Sequence, residues 1–178
     1  MGEGWVIREA WPAAFDDLGR LMVKVYSSLE GFPGPEVQPA YYDLLAHIGQ
    51  MAGKPGAKLL VATEGEDLLG GLVYFSDMAQ YGSGGTATRE RNASGFRLLA
   101  VAPAARGRGV GAALVRHCIE LAKDAGHEQV IIHTTAAMTV AWALYEKLGF
   151  ERSPDLDFEQ GTLPVFGFRL KFVQGDPI

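Results

Sequence analysis

The chain has 178 residues, of which 48% are hydrophobic and 21% charged, an ordinary globular composition that excludes a fibrous or disordered protein. Its net charge of −5 argues against wholesale nucleic-acid binding through a basic surface. The longest apolar run, Leu68 to Phe75, falls far below the roughly 20 residues of a membrane-spanning helix. We therefore predict one domain over residues 1–178, without a membrane partner.

The N-terminal segment Met1 to Val6 has neither the basic start nor the apolar run of a signal peptide. Val6 also stands where a myristoylation motif requires Ser or Thr. These features predict a cytoplasmic protein. Cys118 is the single cysteine and the four histidines lack ligand spacing, so we predict no disulfide and no metal.

The predicted elements of the N-terminal half begin with a strand, Trp5 to Arg8. Pro12 then opens a helix whose apolar residues recur at helical spacing up to Val25. A loop over residues 30–36 precedes a second helix from Pro39 to Met51. Two strands, Lys58 to Thr63 and Leu68 to Phe75, follow as a hairpin.

The C-terminal half begins with a polar, glycine-rich segment, Asp77 to Ser94, which is too long for a simple connection and indicates function or mobility. The elements predicted after it alternate between strand and helix. They are a strand at Phe96 to Val101, a helix at Val110 to Asp124, a strand at Val130 to His133, a helix at Thr139 to Leu148 and a strand at Phe166 to Val173. The pattern predicts a mixed α/β protein.

The most informative segment is a glycine-rich turn between the strand that ends at Val101 and the helix predicted to begin at Val110. Backbone N–H groups at a helix N-terminus have no partner within the helix, and together with the helix dipole they favour a phosphate. Glycine at Gly109 and Gly111 lets a phosphate approach the backbone or permits a positive φ. Arg106 and Arg108 add positive charge, in an arginine-rich region spanning residues 89–116. The turn predicts a phosphate cradle.

Two other phosphate-binding motifs compare with this turn. The stretch from Gly107 to Ala112 also satisfies the dinucleotide pattern G-x-G-x-x-A. However, five residues separate the strand from Gly107, and the next strand ends in His133 rather than in a ribose-binding acid. A Walker A loop is excluded, because no Gly-Lys-Ser/Thr follows the glycines.

Two segments resemble the GNAT superfamily of N-acetyltransferases. The first matches the signature R/Q-x-x-G-x-G/A at Arg106, Gly109 and Gly111, after a strand with Leu99, Val101 and Pro103. The second, Ala141 to Phe150, is similar to the family's A-x-x-L-Y-E-K-L-G-F segment. The resemblance implies a single-domain fold with a partly antiparallel central sheet flanked by helices, in the order β-α-α-β-β-β-α-β-α-β-β.

The resemblance also implies an acetyl-coenzyme A site and direct acetyl transfer to a primary amine of a small molecule or peptide. Tyr145 is the catalytic residue it implies, a proton donor to the departing thiolate. The implied cofactor-binding residues are Leu99, Ala100, Val101, Arg106, Gly107, Arg108, Gly109, Val110 and Gly111. The expected partner is the amine acceptor, and a homodimer is left open. No nucleic acid and no membrane are expected as partners.

The sequence departs from the family pattern at two places. Met138 stands where many members have an asparagine, and the segment Ser94 to Arg97 lacks the glutamate that many members place early in this strand. Glu30, Asp43 and His133 are the alternative bases considered. The departures leave open a coenzyme A-binding sensor without catalysis, and the glycine pattern leaves open a dinucleotide-dependent oxidoreductase.

Overall fold

The computed structural model describes residues 4–82 and 84–173. The first three residues of the N-terminal segment and Ser83 of the glycine-rich segment lie outside the described residues. The helices and strands are β1 (Val6–Glu9), α1 (Phe15–Ser27), α2 (Pro39–Ala46), β2 (Ala57–Glu64), β3 (Asp67–Phe75), β4 (Ala93–Val101), α3 (Val110–Asp124), β5 (Gln129–Thr134), α4 (Thr139–Lys147), β6 (Glu151–Arg152), β7 (Phe158–Gln160) and β8 (Leu163–Lys171).

The structure confirms the predicted mixed α/β class, and several elements differ from their predicted bounds. The second helix is shorter than predicted, because α2 gives way to a 3₁₀ segment at Ile48–Gly53. After α4 the structure has three strands, β6, β7 and β8, where the resemblance implies two and periodicity indicated one, since two or three residues carry too little periodicity to detect. β4 begins at Ala93 instead of Phe96, because Ala93, Ser94 and Gly95 pair with β5.

Within the described residues, eight strands form one mixed sheet in the order β1-β2-β3-β4-β5-β8-β6, with β7 paired to β8. The β1–β2, β5–β8, β6–β8 and β7–β8 ladders are antiparallel. The β4–β5 ladder is parallel and runs only from Ala93–Gln129 to Gly95–Ile131. Parallel neighbours need a crossover, which α3 provides.

The chain divides into two compact units, and the first contains Met1–Val73 and Leu98–His117. The apolar stripe of α1 is buried here, including Leu18 and Met22, which are fully inaccessible to solvent. Leu18 reaches the backbone of Gly71 in β3, where a side chain would collide with it. The first unit thus buries α1 against the β2–β3 hairpin.

The second unit contains Tyr74–Arg97 and Cys118–Ile178. Three successive β5 residues, Val130 to Ile132, are fully buried, which is typical of a strand covered on both faces. Phe168 of β8 is fully buried and contacts the rings of Trp142 and Tyr145. The single domain over residues 1–178 stays a prediction, and each unit is described by itself.

Candidate functional site

The glycine-rich turn lies in the first unit, between a 3₁₀ turn at Pro103–Ala105 and the start of α3. Gly107 and Gly109 have φ values of +81° and +82°, and a Cβ built on either would meet no atom within 4 Å. The left-handed backbone favours glycine, and the space beside it is open to a ligand. Gly111, in contrast, lies inside the first turn of α3.

Backbone donors at this turn come from the first turn of α3. The helical ladder starts with the N–H of Ala113 donating to the Gly109 carbonyl at 3.0 Å. The N–H groups of Val110, Gly111 and Ala112 precede that bond and have no acceptor within the helix. The N–H of Arg106 already donates to the Pro103 carbonyl, at 3.4 Å. An anion at this position therefore meets the donors of α3 and the positive end of its dipole.

The two arginines of the turn differ in their partners. Arg106 is exposed, whereas Arg108 forms a bidentate pair with Glu64, with Nη–Oε distances of 3.0 and 3.2 Å. The Arg108 guanidinium lowers the pKa of the Glu64 carboxyl through this hydrogen bond. Glu64, at the end of β2, was not singled out from the sequence, because its partner lies 44 positions away. Much of the positive charge of Arg108 is therefore compensated within the protein.

Backbone strain marks the strand segment that precedes the turn. Leu98 has a φ of +64°, which costs on the order of 1–3 kcal/mol for a residue with a side chain. The Leu99 carbonyl accepts a hydrogen bond of 2.9 Å from the Tyr26 hydroxyl. Ala100 is buried, and its carbonyl oxygen lies close to Gly70 of β3. A Cβ built on Gly70 would be 2.8 Å from that oxygen. Leu99 and Val101 are half-buried.

Tyr145 lies on α4 in the second unit and is 4% exposed. Its ring packs against Phe96 and Phe150, with centroids 5.8 and 5.9 Å away. Within the described residues its hydroxyl makes no hydrogen bond, and burial raises its pKa above the ordinary value. The hydroxyl therefore keeps its proton at neutral pH.

No base stands at the start of β4, where the family often has a glutamate. Ser94 is fully buried, and its hydroxyl bonds the Tyr74 hydroxyl and the His127 ring, both at 2.7 Å. Gly95 has no room for a side chain, because a Cβ would lie 2.9 Å from both Met78 Sδ and Tyr81 Cδ1. The sequence did not indicate that Tyr81, which belongs to the glycine-rich segment, packs against Gly95.

Both ring nitrogens of His133 are engaged. Nε2 lies 2.9 Å from the Leu156 carbonyl, an acceptor, so Nε2 carries the proton and Nδ1 accepts from the Tyr81 hydroxyl at 2.9 Å. Burial lowers the pKa of His133, so the ring is neutral at pH 7. The other alternative bases, Glu30 and Asp43, are exposed in the first unit.

Three further features bear on ligand binding. Met138, in place of the family's asparagine, accepts a hydrogen bond from the Thr134 hydroxyl through its sulfur at 3.3 Å. Across the described residues, no group of three His, Cys, Asp or Glu side chains is arranged to hold a metal ion. None of the helices in the same residues has the length and apolar character needed to cross a membrane.

Comparison with protein-family models finds a match over most of the chain. The Acetyltransferase (GNAT) family model matches residues 22–150. Two curated relatives match at 38% identity, the mouse "Probable N-acetyltransferase family 8 member 5" over 55 residues and the human "N-acetyltransferase 8B" over 48 residues. These matches cover 31% and 27% of this chain but only 24% and 21% of the relatives' own length.

Comparison with solved structures finds the same fold along nearly the whole chain. A PaiA N-acetyltransferase from Thermoplasma acidophilum, solved in complex with coenzyme A, aligns with a TM-score of 0.72 at 13% identity, over 94% of this chain and 99% of that one. A GCN5-related N-acetyltransferase from Kribbella flavida aligns with a TM-score of 0.68 at 23% identity, over 96% and 99% of the two chains. At these identities the likeness concerns the fold.

Proposed function

Because this chain belongs to the GNAT acetyltransferase family, we propose that it transfers an acetyl group from acetyl-coenzyme A directly to a primary amine of a small molecule or peptide. The observation that carries the proposal is the cradle at Gly107 and Gly109, where a left-handed glycine backbone and open space adjoin the first turn of α3. A diphosphate fits this donor set, because it is anionic and the donors are backbone amides at a helix N-terminus.

The residues proposed to hold the cofactor divide into two groups. The amides of Val110 and Gly111, with the exposed charge of Arg106, bind the diphosphate. The backbone of the segment from Leu99 to Val101 binds the pantetheine arm and directs a donor at the acetyl carbonyl oxygen. When bound, acetyl-coenzyme A supplies the acetyl group as a thioester. Arg108 acts mainly through its backbone, since Glu64 takes up its guanidinium.

Tyr145 is proposed to donate its proton to the thiolate as it leaves. The Tyr145 hydroxyl is protonated at neutral pH, which a proton donor requires, although burial raises its pKa and so makes it a weaker acid. Because a thiolate leaves rather easily, with a free-thiol pKa of about 8.5, the contribution of Tyr145 lies at the low end of the range for general acids.

The proton of the amine is proposed to leave to solvent. Ser94 is engaged in a buried hydrogen-bond chain, Gly95 carries no side chain, and the acceptor nitrogen of His133 is occupied by Tyr81. An amine with a pKa near 10 must then arrive in its minor neutral form. The rate is therefore expected to rise with pH over the range in which the amine deprotonates.

The test has two stages. Isothermal titration with acetyl-coenzyme A, NAD and NADP identifies the ligand, and a thiol-release assay across a panel of amines then measures transfer. Binding of acetyl-coenzyme A with thiol release that depends on an amine supports the proposal. Binding without release on any amine indicates a coenzyme A sensor, and binding of NAD or NADP in its place indicates an oxidoreductase.

A further inference from the structure

Two of the half-buried arginines in the second unit have carboxylate partners. Arg152 lies 2.7 Å from Asp157, and its guanidinium makes a bidentate pair with that carboxylate. Arg169, only 13% exposed, lies 2.6 Å from both Glu90 and Asp155. These pairs follow the general rule that a charge removed from water is compensated by an opposite charge. They also occupy three acids of the unit.

Arg97 of β4 breaks this rule. It is half-buried, yet within the described residues it forms no ion pair with any carboxylate. In the part of the chain that the structure describes, its guanidinium interacts with Tyr81, whose carbonyl accepts a hydrogen bond from Nη1 at 3.1 Å and whose ring centroid lies 5.9 Å from Cζ. His133, which also contacts Tyr81, is neutral, and the charge of Arg97 is one cause of its lowered pKa. Among the described residues of this unit, Arg97 is therefore a cation that no carboxylate pairs.

The remaining hydrogen-bonding capacity of Arg97 matches a carboxylate. A guanidinium carries five N–H donors in a planar fork, and the Tyr81 carbonyl uses one of them. The fork suits two parallel hydrogen bonds to a carboxylate, as the Arg152–Asp157 pair illustrates in the same unit. Gly95, two positions earlier on the same face of β4, contributes no acid that would compete for it.

We infer that Arg97 binds a carboxylate of the acetyl acceptor, so that the substrate class is an amine that also carries a carboxylate, as amino acids do. The inference rests on the proposed function for the role of the ligand. In the chain, Arg97 stands two residues before Leu99, at the start of the segment proposed to bind the cofactor. Arg97 is thus a specificity-determining residue and performs no chemical step.

The first test compares Arg97→Gln with the wild type on matched amines that differ only in the carboxylate, such as L-phenylalanine with 2-phenylethylamine and L-lysine with 1,5-diaminopentane. Glutamine keeps N–H donors but carries no charge. We expect at least a tenfold rise in KM for the carboxylate-bearing amines, less than a twofold change for their partners, and an unchanged Tm. Arg91→Gln, which removes an exposed arginine nearby, is the control.

The second test needs no turnover. Calorimetric titration of N-acetyl-L-amino acids and their carboxamides against the wild type and Arg97→Gln measures the carboxylate preference directly. A wild-type preference that Arg97→Gln abolishes supports the inference. Loss of affinity for acid and amide alike, or no preference in the wild type, overturns it. A preference that persists in a protein unable to bind coenzyme A would leave the Arg97 site standing and reject the proposed function.

Discussion

Gly109→Ala is the most specific test of the proposed diphosphate site, because Gly126→Ala provides a matched control. Gly109 and Gly126 have φ values of +82° and +77°, and a Cβ at either position meets no atom within 4 Å. Gly126 follows the C-terminus of α3, whereas Gly109 precedes its N-terminus. The two substitutions therefore impose the same backbone strain, and only one adds a methyl group to the proposed cradle.

The expected magnitudes follow from these geometries. A left-handed backbone costs an alanine about 1–2 kcal/mol, offset by about 0.4–1 kcal/mol because alanine reduces the freedom of the unfolded chain. Both variants should thus lose about 1 kcal/mol of unfolding free energy, measured by urea titration without ligand. The coenzyme A dissociation constant should rise at least tenfold in Gly109→Ala, or about 1.4 kcal/mol, and less than twofold in Gly126→Ala.

Isothermal titration of both folded variants with coenzyme A measures the two dissociation constants and tests this expectation. If Gly109→Ala binds coenzyme A as tightly as the wild type, the added methyl group does not meet the diphosphate and the cradle is a tight turn only. If both variants lose affinity equally, the loss reflects general destabilisation. Either result would refute the reasoning from the open space beside Gly109.

Three further predictions test the residues around the proposed site. Tyr145→Phe should lower turnover about tenfold or more while the affinity for acetyl-coenzyme A stays nearly constant, and normal turnover would make Tyr145 a packing residue. Glu64→Gln should speed trypsin cleavage after Arg108, because the guanidinium released from Glu64 can enter the specificity pocket of the protease. Cleavage after the exposed Arg106 should not change. Mass spectrometry of the fragments measures both rates, and equal cleavage of Glu64→Gln and wild type after Arg108 would contradict the Arg108–Glu64 pair. His133→Gln removes a titrating group whose pKa in the fold lies below its ordinary value of 6.5, so the stability that neutral His133 contributes is present above about pH 6.5 and lost as pH falls through the lowered pKa. The unfolding free energy of the wild type should therefore decrease more steeply than that of His133→Gln on acidification, and parallel curves would exclude this linkage.

Local pattern predicted the long elements of the fold and the cradle. The helical spacing of Leu18, Met22 and Val25 identifies α1, and these side chains are buried as that spacing requires. Of the two glycines for which the sequence allowed a positive φ, Gly109 has one, whereas Gly111 lies within α3. Such features depend on neighbours within a few residues, which a sequence displays directly.

The partners of individual charges and polar groups required the tertiary structure. Arg106 and Arg108 look equivalent in the sequence, and only the arrival of Glu64 from β2 separates an exposed cation from a paired one. Likewise, Arg97 becomes distinctive because Arg152 and Arg169 have carboxylate partners and Arg97 has none among the described residues. Gly95 lacks space because Met78 and Tyr81 lie beside it. These contacts join residues 14 to 44 positions apart, and long-range pairing of this kind follows from how strands and loops pack, which local periodicity does not encode.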